Sequence, residues 1–245
     1  MTHLATLKTN FHGNGPGSAS DQAFRLLWEW LVTGQAEDGQ RLSENDLAAR
    51  LRISRTPLRD ALHRMEDVGL LERQVNRTLV VKAMSVDEMV ELSTTRESLE
   101  GLVARRVAER HADGEVSLAG LRTLNDRMAR LAAIGETELL LDGGIEFHAE
   151  LKRLAGNRSA ARMLDQLMLA LERYRQLVQR ETERASQIVE EHEEVLRALE
   201  AGDGAAAEHT MRTHITNARD VYRRILEDIL PAPLASPVSM PGAAD

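Results

Sequence analysis

From Ser85 to Leu230 apolar residues recur at three- and four-residue spacing, and the pattern breaks at Gly114, Gly135, Gly156-Asn157 and Gly202-Asp203. That period belongs to amphipathic helices, and glycine is the common residue just past a helix end. The spacing predicts six helices, at roughly 86–111, 115–133, 136–155, 159–182, 185–201 and 203–230. Their apolar stripes include Leu140, Phe147, Leu151 and Leu154; Met163, Leu167, Met168, Leu171 and Leu177; Ile188, Val195, Leu196 and Leu199; and Met211, Ala218, Val221 and Ile225. Short connections predict an antiparallel bundle. Aromatic residues are only 3% of the chain, so Leu, Val, Ile, Met and Ala must fill the core, which favours helix packing over a β-sandwich.

The preceding segment reads differently. Phe24, Leu27, Trp28 and Leu31 form one helical stripe from Asp21, closed by Gly34. Ser43 and Asp46 suit the start of a short second helix with Leu47 and Leu51 buried. Arg52-Ile53 is a tight connection to Ser54, a cap candidate, and Pro57 sits in the first turn of a third helix, where a missing N–H costs little. Leu58, Leu62 and Met65 are its apolar side, and Gly69 ends it. Leu70–Arg73 and Thr78–Val81 then read as a hairpin. The expected fold is mainly α: an N-terminal winged helix-turn-helix of three helices plus a β-hairpin wing over 21–84, then an antiparallel all-α bundle over 85–230. Residues 1–20 and the proline-rich 231–245 are expected to be disordered tails.

The absence of cysteine excludes disulfides, thiolate metal sites and cysteine nucleophiles. No apolar stretch approaches a membrane span and no signal-peptide core is present, so a cytoplasmic protein is expected. The net charge is −8, yet Arg41 to Lys82 holds nine basic and six acidic residues. A basic module on an acidic body suits a phosphate-bearing partner.

In a helix-turn-helix the second helix reads DNA from its N-terminal turns. Here those residues are Ser54, Arg55, Thr56 and Arg59, with Arg55 and Arg59 four apart on one face. Arginine grips guanine O6 and N7, or phosphate. Asn76 and Arg77 at the wing tip suit phosphate or the minor groove. Taken singly, such arginines do no more than solvate a helix. As a string, Arg41 to Leu71 resembles the GntR-family helix-turn-helix, through Leu42-Ser43-Glu44, Leu47-Ala48, Ser54-Arg55-Thr56-Pro57, Arg59, Ala61-Leu62 and Gly69-Leu70, with Met65 in place of a leucine. The resemblance implies a transcriptional regulator on double-stranded operator DNA. Two positions depart from it: Asn45 stands where some relatives carry a phosphate-binding arginine, and Thr78 replaces a wing glycine. Half-sites related by a two-fold need two reading heads, so a homodimer and a repressor are expected.

The helical part resembles the FCD sensor domain of the FadR-type branch of that family, through Arg96-x-x-x-Glu100, Phe147-His148-x-x-Leu151, Glu191-His192 and His214-Ile215. His148, His192 and His214 lie on three separate helices, beside or on apolar stripes. They are either hydrogen-bonded core histidines or converging ligands for a divalent metal such as zinc or nickel. The resemblance implies the latter, with an aspartate one turn before His148, a position that here is Gly144. Asp142 and Glu146 lie on other faces of that helix. The resemblance also implies that Arg96 pairs with a small carboxylate effector, together with the three histidines; a surface Arg96–Glu100 pair is the plainer reading. Rival functions are a metal-dependent enzyme in the helical domain and an acyl-CoA-responsive regulator of the same fold.

Overall fold

The computed structural model describes residues 18–178 and 185–230. The expected tails at 1–17 and 231–245, and the reach of the fourth bundle helix to 182, lie outside the described residues. The order is α1 (Ala19–Val32), β1 (Arg41–Leu42), α2 (Glu44–Leu51), α3 (Arg55–Asp67), β2 (Leu71–Arg73), β3 (Leu79–Val81), α4 (Val86–Ala112), α5 (Ala119–Ala133), α6 (Thr137–Ala155), α7 (Arg158–Val178), α8 (Ala185–Glu200) and α9 (Gly204–Ile229). No described helix is long and apolar enough to cross a membrane.

Helix α1 begins at Ala19, two residues before the expected Asp21, so residues 18–20 are not tail. The cause is a capping box: Ser18 accepts from the Asp21 N–H, and the Asp21 carboxylate returns the bond to the Ser18 N–H. Helices α1 and α3 enclose the first core, with Leu27, Trp28, Leu58, Leu62 and Met65 nearly or fully buried. The wing is a three-stranded antiparallel sheet, β1-β3-β2, rather than a lone hairpin. The added strand pairs Arg41 with Val80 and Leu42 with Leu79.

Helix α5 starts at Ala119 rather than 115, because Arg110 and His111 bind the intervening turn: Arg110 bonds the Glu115 carboxylate at 2.7 Å, and His111 meets the Val116 carbonyl at 3.1 Å. The bundle core gathers Val103, Val107, Phe147, Leu151, Leu164, Leu196 and Met211. On α7 the buried side is Ala160, Leu164 and Leu169 onward, while Met163 is exposed. Residues 169–175 are buried on every side, because α7 also touches the first core through Leu169. Trp28 Nε1 donates to the Leu169 carbonyl at 3.4 Å. Arg173 donates to the Lys82 carbonyl at 2.7 Å and pairs with Asp38, so two buried-helix donors tie the parts together.

Helices α4 and α9 pack at Gly101, where a Cβ would lie 2.7 Å from Arg212 Cγ. Gly101→Leu is expected to cost about 1–3 kcal/mol by overpacking this crossing, measured as a lower urea midpoint at unchanged slope.

Candidate nucleic-acid interface and histidine centre

Ser43 caps α2 by accepting from the Asp46 N–H at 3.4 Å. The turn passes through Arg52 and Ile53 to Ser54, the N-cap of α3. Ser54 makes no side-chain cap bond, and the first turn of α3 holds no acidic residue. The N-terminal N–H groups and positive end of the helix dipole are therefore uncovered by side-chain charge. Leu58, Ala61, Leu62 and Met65 bury the opposite face, leaving Ser54, Arg55, Thr56 and Arg59 exposed together. Arg59 has a partner within the protein: its Nε bonds the Glu44 carboxylate of α2 at 2.7 Å. That pair is exposed and exchangeable, since surface ion pairs contribute about 0–1 kcal/mol.

The wing closes through Arg77 N–H to the Gln74 carbonyl at 2.8 Å and Gln74 N–H to the Thr78 carbonyl at 2.9 Å. The left-handed residue of the tip is Arg77, with φ of 64°, and Thr78 is not a positive-φ position, so no glycine is needed there. Asn76 Oδ1 accepts from the Thr78 N–H at 3.0 Å and shapes the tip, while Arg77 is exposed. Val75 is fully exposed at this tip, and no sequence signal marked it.

His192 and His214 lie 22 residues apart in sequence and His148 and His214 lie 66 apart, yet α6, α8 and α9 bring the three together. Nε2 of His214 lies 3.2 Å from Nε2 of His148 and 3.3 Å from Nε2 of His192. His192 is fixed by stacking on Phe147, with ring centroids 4.3 Å apart. Two carboxylates stand behind the cluster. Glu191 meets His214 Nδ1 at 2.7 Å, and Glu100 meets His148 Nδ1 at 3.2 Å. With its Nδ1 bonded to Glu191, His214 turns its Nε2 to the Nε2 atoms of His148 and His192, so three ring nitrogens face one point. Burial, aided by the charges of His148 and Arg96, lowers His214 to about 4 against the pull of Glu191, so its imidazole is neutral near pH 7 and able to ligate. Burial works against the Glu100 charge, but His148, Arg96 and Lys152 outweigh it and hold the carboxyl down at about 2.

Among the described residues His148, His192 and His214 form a group whose ligand atoms all lie within 4.8 Å of one another. Glu146 is turned to Arg127 at 2.7 Å and supplies no fourth ligand. Gly144 does face the cluster: a Cβ there would lie 3.7 Å from His192 Cε1, ordinary contact distance. Arg96 and Glu100 do pair, at 3.3 Å, but inside the protein, with Glu100 2% exposed. The surface pair read from i,i+4 spacing is thus corrected, because the bundle folds over that face of α4. Glu100 and Glu191 are the residues sequence reasoning quoted as markers without giving them a task.

The chain is similar to known proteins along both of its parts. The model of the bacterial regulatory proteins of the gntR family matches residues 19–81, and the FCD domain model matches residues 91–217. The chain is 27% identical over 188 residues to the probable D-xylose utilization operon transcriptional repressor of Paenarthrobacter nicotinovorans, covering 76% of this chain and 80% of that one. It is 24% identical over 223 residues to the transcriptional repressor RspR of Escherichia coli K12, covering 91% and 96%. A regulator in an unstable DNA locus of Streptomyces ambofaciens is 30% identical over 225 residues, covering 86% and 88%. The solved structure of Escherichia coli McbR/YncC superposes with a TM-score of 0.66 at 21% identity, covering 85% of this chain and 99% of that one. The architecture is that of a winged helix-turn-helix transcriptional regulator with an all-helical second part. The chain belongs to the GntR family, in the branch that carries an FCD domain.

Glu100 is a buried charge that loses a partner if Arg96 is removed. Arg96→Ala is expected to lower stability by about 1–3 kcal/mol, and the double change Arg96→Met with Glu100→Leu to recover most of it, as measured by denaturant unfolding.

Proposed function

We propose that this GntR-family regulator is a homodimeric repressor whose operator binding is set by a small organic acid held at the histidine centre, together with a divalent metal. Residues up to about 84 read DNA, with Ser54, Arg55, Thr56 and Arg59 entering the major groove and Asn76 and Arg77 contacting the backbone or minor groove. Residues 85–230 sense the ligand. The observation that carries the sensing role is the approach of the His148 and His192 Nε2 atoms to within 3.2 and 3.3 Å of the His214 Nε2, with Glu100 and Glu191 beside the cluster. Imidazole nitrogens are a usual donor set for zinc or nickel, and a carboxylate on the far nitrogen, as Glu191 is on His214, orients such a ligand. Bound there, the metal would act as a Lewis acid that fixes an effector carboxylate. The space at Gly144 leaves a coordination position for that carboxylate, and the Arg96 guanidinium sits close enough to His214 to act on its charge. Coupling follows if the two settings of the reading heads differ in effector affinity.

Arg55→Ala and Arg59→Ala should each weaken operator binding by about 1–3 kcal/mol with the fold intact. Footprints of both variants identical to the parent at equal salt would remove α3 from the interface.

The sensing role is tested by zinc titration and thermal melting with lactate, sugar acids and dicarboxylates. One of these acids should raise the Tm of the zinc-loaded parent. His192→Ala should abolish both zinc uptake and that shift. Gly144→Asp should tighten zinc binding, since the added carboxylate points at the cluster. If neither the parent nor Gly144→Asp takes up zinc, the histidines do not form a metal centre.

A further inference from the structure

Left-handed backbone is disfavoured for any residue with a Cβ, and proteins place glycine or asparagine there. This chain follows that rule at Gly34, Gly39, Gly69, Gly114, Gly135, Gly156 and Gly202. The remaining positive-φ positions among the described residues are both arginines, Arg52 with φ of 54° and Arg77 with φ of 64°. Both lie in the unit that carries α3. One is in the turn leading into that helix, the other at the wing tip.

The backbone at Arg52 is dictated by the turn. Ile53 N–H bonds the Ala48 carbonyl at 3.0 Å and Arg52 N–H bonds the Ala49 carbonyl at 3.4 Å. These are the crossed bonds of a helix end that reverses through one left-handed residue, where glycine is the usual choice. Nothing in the turn requires an arginine. The side chain is exposed, so it contributes no packing to the core. Arg59, Arg64, Arg73 and Lys82 in the same unit each have a carboxylate partner. Arg52, Arg55 and Arg77 are exposed and have no carboxylate within ion-pair distance among the described residues. Strain retained at a site with no structural return is a mark of function, and here what the strained residue supplies is a fixed positive charge.

We infer that Arg52 is a further DNA-binding residue, which grips a backbone phosphate where the duplex passes the turn before α3 and pairs with Arg77 as a second clamp at the wing. A guanidinium matches a phosphate by two parallel N–H donors, and such a contact positions the protein without reading sequence. The inference rests on the reading of α3 as the recognition helix. The contact is independent of sequence, so mixed-sequence duplex DNA is a sufficient probe and the natural operator is not needed.

The test is a salt titration of full-length protein on sheared mixed-sequence duplex DNA, with melting of the free protein alongside. Arg52→Gly relieves the backbone while deleting the charge. The expected result is a Tm unchanged or raised by up to about 4 °C, and a plot of log K against log salt shallower by about 0.9. Arg52→Lys keeps the charge and should keep the slope. Arg52→Gly with Arg77→Gly should lose about twice the single change. Arg130→Gln removes an exposed charge on α5 and should leave the slope as it was. An Arg52→Gly slope equal to that of Arg130→Gln, with the parent binding normally, overturns this inference alone. A parent whose DNA binding shows no salt dependence overturns the DNA reading with it.

Discussion

Helix α7 has to serve two cores at once. Its first half supplies Ala160 and Leu164 to the bundle, and Leu169 enters the apolar cluster of Trp28 and Leu58. A helix in that position cannot keep a solvated face, so residues 169–175 are buried whatever their polarity, and each polar group there must find a partner. Arg173 spends its donors on the Lys82 carbonyl and Asp38, and Asp38 in turn accepts from the Met84 N–H at 2.9 Å. Tyr174 donates to Glu88 at 2.8 Å and accepts from the Ser85 N–H at 3.3 Å. The connection between β3 and α4 is thereby bonded along its length. A slack linker would let the two parts tumble independently; here the connection is held to α7 by hydrogen bonds.

The histidine centre answers the same demand by other means. Glu100 is as buried as the leucines around it, and it survives as an anion because His148, Arg96 and Lys152 surround it. Glu191 is shared between His214 and Asn217, which donates to its other oxygen at 2.8 Å. His214 therefore has its far nitrogen assigned before any ligand arrives, the preorganisation that a precise site requires.

Much of this was legible in the sequence, because the bundle and the helix-turn-helix are written in local periodicity. Phe147, Leu151, Leu196 and Met211 face inward as their spacing requires. The failures share a cause, which is dependence on a distant partner. Strand β1 is two residues long and has no pattern of its own; it exists because Val80 and Leu79 of β3 lie opposite, and Val81 extends the pairing by exchanging bonds with Gly39 and Gln40 at 2.9 and 3.0 Å. Met163 was misassigned because the face of α7 is chosen by two neighbours rather than one. The Arg96–Glu100 pair is legible in its spacing but its burial is not, since i,i+4 geometry does not reveal what covers the pair. Arg59 found Glu44 across the turn, a contact that only the angle between α2 and α3 decides.

Helix α6 presents consecutive residues to different parts of the molecule. Gly144 looks toward His192, Ile145 packs against the core of the N-terminal unit, and Phe147 and His148 belong to the bundle and the centre. A helix transmits rotation with little loss, because its hydrogen bonds resist twisting far more than side chains resist repacking. A turn of α6 of a few degrees at the centre would therefore arrive undiminished at Ile145, less than one helical pitch away. Gly144, Ile145 and His148 lie within about one turn of the same helix, so any rotation of α6 moves all three together.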